Sequence, residues 1–479
     1  MKFYRTLFAA LVLVFSVAIS HAHPWKPDHY VIIDTDGGID DMRAITLMLA
    51  SPEVRVLAIT ASSGVLPAKE AYFKVRELLL EYHHEGILTG VNEDLKSDFV
   101  CEAASNFHWG TAEVLEDKKP EDAAVVIAKI LNSSEEGVEF VSLGSLNTIA
   151  SFLSTHALLS KKVTSIYWSI NLDDISQSLN YKLDKKAYKY ISTSTNILTS
   201  VHCRNENFTW DNFTQEQFLF PSETYKANFY RSIEVKADFS KSCFDENIVL
   251  MLHDENREFF TRHEQDGEIN FEFNAEVSNE QLALKFRTIL NGETINRNQV
   301  FKTIPSDTTY YQHDVQEFVE RAYSNYGKEE WQAAVLANEM HRHLGAVATI
   351  GVKMGIRARE YFGAGIDEMY VVSYAGLNPP VSCMNDGLQV STGATVGHGL
   401  IEVDTSSAIK PEAVFNYRGR QLKISLKEEY RKKLFSELKE LNTIYGLNSD
   451  IYWELVRNVA LKYWATWSRY EIFELNELP

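Results

Sequence analysis

Four carboxylates fall within eight residues in the stretch Val31-Ile-Ile-Asp34-Thr-Asp36-Gly-Gly-Ile-Asp40-Asp41-Met-Arg-Ala-Ile45. Uncompensated, so many like charges repel one another, and a bound hard cation with oxygen ligands is the simplest way to hold them together. Gly37-Gly38 lets the backbone turn sharply between the two pairs, which brings acids separated in sequence onto one ion. Capping of a helix N-terminus also favours acids, but it accounts for one or two of them and not for four.

The elements around this cluster must place it at a strand end. Val31 to Ile33 reads as a buried strand, and Met42, Ile45, Met48 and Leu49 mark the apolar face of a helix that follows. Further along, Val54 to Thr60 and Val138 to Leu143 read as strands, and Met42 to Ala50, Lys69 to Tyr82 and Asp122 to Leu131 as helices. Strands alternating with helices imply an α/β domain with a doubly wound, mainly parallel sheet whose ligands sit beyond the carboxyl ends of its strands, the first of which is Asp34. Asn171 to Glu268 is more polar and aromatic, with runs such as Asn205 to Phe220 that read as irregular lid or surface material. Asn291 to Tyr311 reads as a connector, with Pro305-Ser306-Asp307 as a turn. Beyond it the periodicity changes: Asp314 to Tyr326, Lys328 to Glu339 and Lys427 to Leu441 look helical, and Met369 to Tyr374 looks like a strand. The expected organisation is a first domain over residues 23–304 and a smaller α+β domain over 305–479.

The segment after the first strand resembles the signature Asp-x-Asp-x-Gly-x-Asp-Asp of the inosine-uridine preferring nucleoside hydrolase family, and matches it at every position. The resemblance implies a calcium site and cleavage of N-ribosyl bonds in small-molecule nucleosides or ribosides. It assigns Asp36 as calcium ligand and base toward water, Asp41 as a second ligand, Asp40 as a ribose binder and Asp34 as a supporting acid. Such a division is chemically sound, since calcium orients and acidifies a water while a carboxylate removes its proton. Val141-Ser-Leu-Gly-Ser-Leu146-Asn147-Thr148 is similar to a family turn in which a backbone carbonyl, here that of Asn147, ligates calcium. Ser178-Leu179-Asn180 followed by Asp184-Lys-Lys-Ala is similar to a further family run, a resemblance that implies Asn180 as a ribose binder. Phe244-Asp245 at the head of a helical run, Ile248 to Phe260, resembles the place of the family's last calcium aspartate, which implies Asp245 as a ligand.

Departures from the pattern concern substrate recognition. Ser178 stands where the family has a glutamate, Phe244 or Cys243 where many members have a histidine, and Ser62-Ser63-Gly64-Val65 where an asparagine is usual. Two readings remain beside the hydrolase: a non-catalytic protein that binds ribose and calcium, and a metal-dependent enzyme centred on the second domain. His253-Asp254 is an alternative to Phe244-Asp245, and His202, Tyr225 and Tyr230 are candidate proton donors to the leaving base.

In the second domain, the runs His341-Arg-His343-Leu-Gly345, Gly351 to Glu360 and Ser382-Cys383 to Gly397 resemble the E-subunit family of formylmethanofuran dehydrogenase. His341, His343 and Cys383 could ligate zinc or another transition metal with one position open, provided the helix breaks before Leu344, because histidines two apart point to opposite sides of a regular helix. Gly345 replaces the family's usual cysteine, and its cysteine-rich zinc ribbon is absent.

Lys2, Arg5, an apolar run from Leu7 to Ile19 and Ser20-His21-Ala22 read as a cleaved signal peptide over residues 1–22, implying a periplasmic or secreted protein. The run is short of the roughly 18 to 20 residues that a spanning helix needs, so stable membrane insertion is not expected. Residues 1–22 carry two cations and no acid, so their removal takes the formal charge from −19 to −21. Such a surface repels phosphate backbones and makes nucleic acid a poor partner. A homo-oligomer is compatible with the sequence. Cys101, Cys203, Cys243 and Cys383 allow one or two disulfides, with the pairing open.

Overall fold

The computed structural model describes residues 27–97, 99–110, 119–170, 175–195, 197–202, 205–210, 213, 224–235, 242–265, 268–274, 277–292, 300 and 304–479. The signal-like segment 1–22 and Cys203 lie outside them.

In the first strand, β1 (His29–Thr35), every residue is buried. Its side chains alternate between two cores, Val31 and Ile33 packing on one face of the sheet and Tyr30 and Ile32 on the other. That is the demand of a strand covered by helices on both sides, and it explains a near-continuous apolar run. The remaining strands of this sheet are β2 (Val54–Ala61), β3 (Leu88–Val91), β4 (Glu121–Asp122), β5 (Val138–Ser142), β6 (Val163–Ile170) and β7 (Leu198–His202), then β10 (Phe260–Gln265) and β11 (Glu268–Phe273). The short strands β8 (Asn205–Thr209) and β9 (Ser242–Cys243) pair separately. The order is β10-β11-β7-β6-β5-β1-β2-β3-β4, parallel except for the β10–β11 hairpin at one edge. The chain leaves β1 outward to β4 and returns on the other side of β1 as β5. The switch point, where such sheets bind ligands, therefore lies between the carboxyl ends of β1 and β5.

The second sheet holds β12 (Tyr370–Ser373), β13 (Ile401–Val403), β14 (Glu412–Tyr417), β15 (Arg420–Leu426) and β16 (Phe473–Leu478), in the order β13-β12-β14-β15-β16. The architecture is thus a large doubly wound α/β domain followed by a smaller α+β domain. Helix α1 (Ile39–Ala50) carries the second acid pair, and α2 (Ala68–Glu81) returns from β2. Leu290 is the last residue of the first domain's cores, and Ile304 the first that packs in those of the second.

Several local expectations are corrected. Between residues 171 and 268 the described residues include β7, inside the large sheet, and the helices Lys185–Ser194 and Thr224–Ile233. In the run Asn205 to Phe220, residues 205–209 form β8 rather than irregular chain, and residues 211, 212 and 214–220 lie outside the described residues. The run Ile248 to Phe260 is not one helix but α3 (Glu246–Met251), a 3-10 turn (Asp254–Phe259) and the start of β10. The stretch Asp314 to Tyr326 is broken at Phe318 (φ −120, ψ 0), which lets Phe318 and Val319 both turn into the core before α4 (Val319–His341) begins; α4 is itself interrupted at Gly327 (φ 83, ψ 168), in the gap expected between Tyr326 and Lys328.

The second domain, whose helices include α5 (Ala346–Phe362), docks on the amino ends of the large sheet. Arg55, near the start of β2, pairs with Glu368 at 2.9 Å. Arg357 makes a two-pronged contact with Glu85 at 2.9 and 3.1 Å, and Arg418 reaches Glu136 at 3.3 Å and lies over the Tyr30 ring. Opposite ends of a seven-residue strand are roughly 20 Å apart, so the second domain faces away from the acidic cluster. Gly86 sits at the seam, its N–H donating to the Tyr361 carbonyl at 2.8 Å, and an added Cβ would stand 2.4 Å from that oxygen. Gly86→Ala is therefore expected to weaken the interface by about 1–3 kcal/mol, as overpacking does. In calorimetry it should separate the unfolding of the two domains, and an unchanged thermogram would contradict this close approach.

Candidate metal and ribose site

Thr35 ends β1 and turns its hydroxyl to Asp41 Oδ2 at 2.6 Å, while the Asp36 N–H donates to the same oxygen at 3.0 Å. These bonds tie the first turn of α1 back onto the strand that precedes it. The turn needs its glycines. Gly37 has φ +84, and a Cβ on Gly38 would stand 2.7 Å from both Asp40 Oδ1 and Asp41 Oδ1. Asp36 is buried between two further glycines: a Cβ on Gly64, after β2, would lie 2.0 Å from Asp36 Oδ2, and one on Gly144, after β5, would lie 3.3 Å away. Behind it Asp34 is held by Thr60 at 2.6 Å and Ser62 at 2.8 Å. These serine and threonine hydroxyls from β2 and its end support an acid that faces no water.

The other side of the site comes from β6 and α3. Ser169, near the end of β6, donates to Asp245, which precedes α3. Asp40, Asp41 and Asp245 each present a carboxylate oxygen within 4.8 Å of the other two, the one such trio of metal-ligating side chains among the described residues. Asp36 stands outside that trio, but its Oδ1 is buried with no hydrogen-bond partner. Burial raises the Asp36 carboxyl well above the usual range, with the Asp41 and Asp40 charges adding to it. Burial likewise pushes Asp34 and Asp40 up to about 7, and in Asp40 the Asp41 and Glu246 charges contribute. An orphaned carboxylate oxygen beside three converging carboxylates is an all-oxygen donor set, which suits a hard divalent cation such as calcium.

Asn147 stands in the first turn of its helix, Asn147–Thr155, and its side chain accepts from Asn92 at 2.8 Å and donates to Asp184 at 2.7 Å. Asp184 in turn caps the helix Lys185–Ser194. Asn180 donates its amide to the carbonyls of Leu143 at 2.7 Å and Ser169 at 3.1 Å, which leaves its Oδ1 for a ligand. Asn92 was not singled out from sequence. It follows β3 directly, so its place at a strand's carboxyl end was the available signal.

The family model of inosine-uridine preferring nucleoside hydrolases matches residues 31–320, well over half of the chain. The chain belongs to that family. Residues 340–473 match a second model, described as FmdE, molybdenum formylmethanofuran dehydrogenase operon. Among curated relatives are the pyrimidine-specific ribonucleoside hydrolases RihA of Photobacterium profundum, 33% identical, and of Escherichia coli O1:K1 / APEC, 32% identical, each over 145 residues. Those matches take in 28% of this chain and 46% of each relative, so the chain spans about half the length of the curated relatives it matches. Solved structures similar to it include a plant nucleoside hydrolase, PpNRh1 (21% identity, TM-score 0.40, 55% of this chain and 99% of that one). The purine-preferring ribonucleoside hydrolase from Gardnerella vaginalis is another (16%, TM-score 0.42, 55% and 98%).

Other candidates in this nucleoside hydrolase domain lie elsewhere. Tyr225 stacks on Tyr82 and bonds His84 beyond the far end of α2, and His253 bonds Ser51 at 2.9 Å at the far end of α1. Neither is at the acidic site, because both belong to the amino-end side of the sheet. Tyr230 packs against the core, and the His202 and Cys243 side chains lie outside what is described. Cys101 and Cys383 are free thiols.

In the second domain the helix does break, at Arg342 (φ 67), and the His341 and His343 rings come to 4.3 Å between centroids. His341 Nδ1 bonds Asp386 at 2.7 Å, and His343 packs edge-on against Trp453. Among the described residues His341, His343 and Cys383 do not converge as the three aspartates do, and the Cys383 thiol is pushed up by burial and by the Asp386 charge.

Proposed function

We propose that the first domain is a calcium-dependent hydrolase of N-ribosyl bonds in nucleosides or related ribosides. The convergence of Asp40, Asp41 and Asp245 at the switch point, beside the unpartnered Asp36 oxygen, is the observation that carries this reading. Asp36, Asp41, Asp245 and the Asn147 carbonyl hold the ion, and Asp40 and Asn180 hold the ribose. Calcium, when bound, supplies positive charge that acidifies a water and neutralises these acids. Asp36 Oδ1, bonded to nothing in the protein, is the atom that receives the water's proton. Asp40, the least buried of the trio, accepts from ribose hydroxyls, and Asn180 Oδ1 accepts from another.

Phe244 or Cys243 stands in place of a histidine that would serve the leaving base, which favours substrates whose base departs without protonation, and Ser178 stands in place of a glutamate that would contact the ribose. The same departures support the second reading, a protein that binds riboside and calcium without turnover. A panel of ribonucleosides, beginning with uridine and cytidine because the RihA relatives bear the name pyrimidine-specific, decides between them. Calcium-dependent release of free ribose is expected. Binding of the panel by calorimetry without release would leave the binding protein standing. We also propose export, with cleavage near Ala22; an N-terminus of the exported chain at Met1 would contradict it.

A further inference from the structure

Arg43 and Glu246 form an ion pair, Nε to Oε1 at 2.5 Å, and both side chains are fully buried. Glu246 Oε2 also accepts from the Phe244 N–H at 2.9 Å, and the Arg43 guanidinium lies 5.3 Å from the centre of the Trp210 ring. A fold gains little from such a pair, because two apolar side chains of similar size stabilise a core as well or better. Its position supplies another reason. Arg43 lies two residues after Asp41, and Glu246 directly follows Asp245, so the pair joins the first turns of α1 and α3 just behind the three converging carboxylates.

We infer that Arg43 and Glu246 are positioning residues for the metal site. Together they set the separation of two helix N-termini so that Asp40, Asp41 and Asp245 meet, and at Asp40 the Glu246 charge opposes that of Arg43. The pair is neutral, so the site keeps its full negative charge for a cation. Without Glu246, the guanidinium becomes the nearest cation to Asp40 and competes with a metal ion. This inference rests on the calcium reading above.

The test uses the full chain and two readouts: calcium affinity by titration calorimetry and melting temperature in chelator. The apolar pair R43M/E246M should melt within about 5 °C of the unaltered protein yet bind calcium at least about tenfold more weakly. E246Q, which keeps the shape and removes one charge, should also bind about tenfold more weakly or worse, and it decides the matter if the double variant does not fold. Unaltered affinity in a folded variant would overturn the inference. Absence of calcium binding by the unaltered chain would instead overturn the reading of the site itself.

Discussion

Asp36→Asn is expected to lower calcium-dependent ribose release by about 100- to 10,000-fold, the range that loss of a positioned general base produces. The substitution keeps the shape of the side chain, which matters in a slot where glycines 64 and 144 leave room for nothing larger. It removes a proton acceptor and one of several mutually repelling charges. Stability in chelator should therefore hold or rise, since burial and the Asp41 and Asp40 charges already disfavour the Asp36 carboxylate. Kinetics with the best substrate of the panel, together with a melt in chelator, make the check. A variant that retains full activity would remove Asp36 from the role of base, and one that unfolds would show a structural role instead.

Calcium should raise the melting temperature of the first domain. An ion that binds only the folded state stabilises it by about 2.7 kcal/mol at 100 times its dissociation constant. For a domain of this size that corresponds to roughly 5–10 °C. The gain should be largely lost in Asp245→Asn, because Asp245 directly precedes α3 and closes the trio from the opposite side to α1. Magnesium, which demands a smaller and more regular oxygen shell, should give less. Differential scanning calorimetry with each ion is the measurement, and equal melts with and without calcium would remove the ion from the site.

Much of the first domain was legible along the chain. The strand β1 and helix α1 announce themselves by an apolar run and an amphipathic face, and the acids between them are local enough to be read together. The second domain was harder. The β14–β15 hairpin was missed although Arg418-Gly419 both adopt positive φ (48 and 77), the signature of a two-residue turn that a glycine after a polar residue can mark. Asn180 is a site candidate from the sequence, but which of its atoms is open to a ligand follows only from the carbonyls of Leu143 and Ser169 that take its amide.

The sequence by itself determined that four acids and two glycines crowd into eight residues between the first strand and a helix start, and their electrostatic conflict needs no fold to be recognised. Tertiary structure alone decided that Asp40 shares a trio with Asp41 and Asp245 while Asp36 stands outside it. Asp245 joins Asp40 and Asp41 across more than two hundred residues because β6 and α3 pack beside β5 and α1. It also separated Tyr225 and His253 from the site and set the second domain on the opposite end of the sheet. Long-range proximity depends on how buried faces pair, and that pairing is a property of the whole core rather than of any local run of residues.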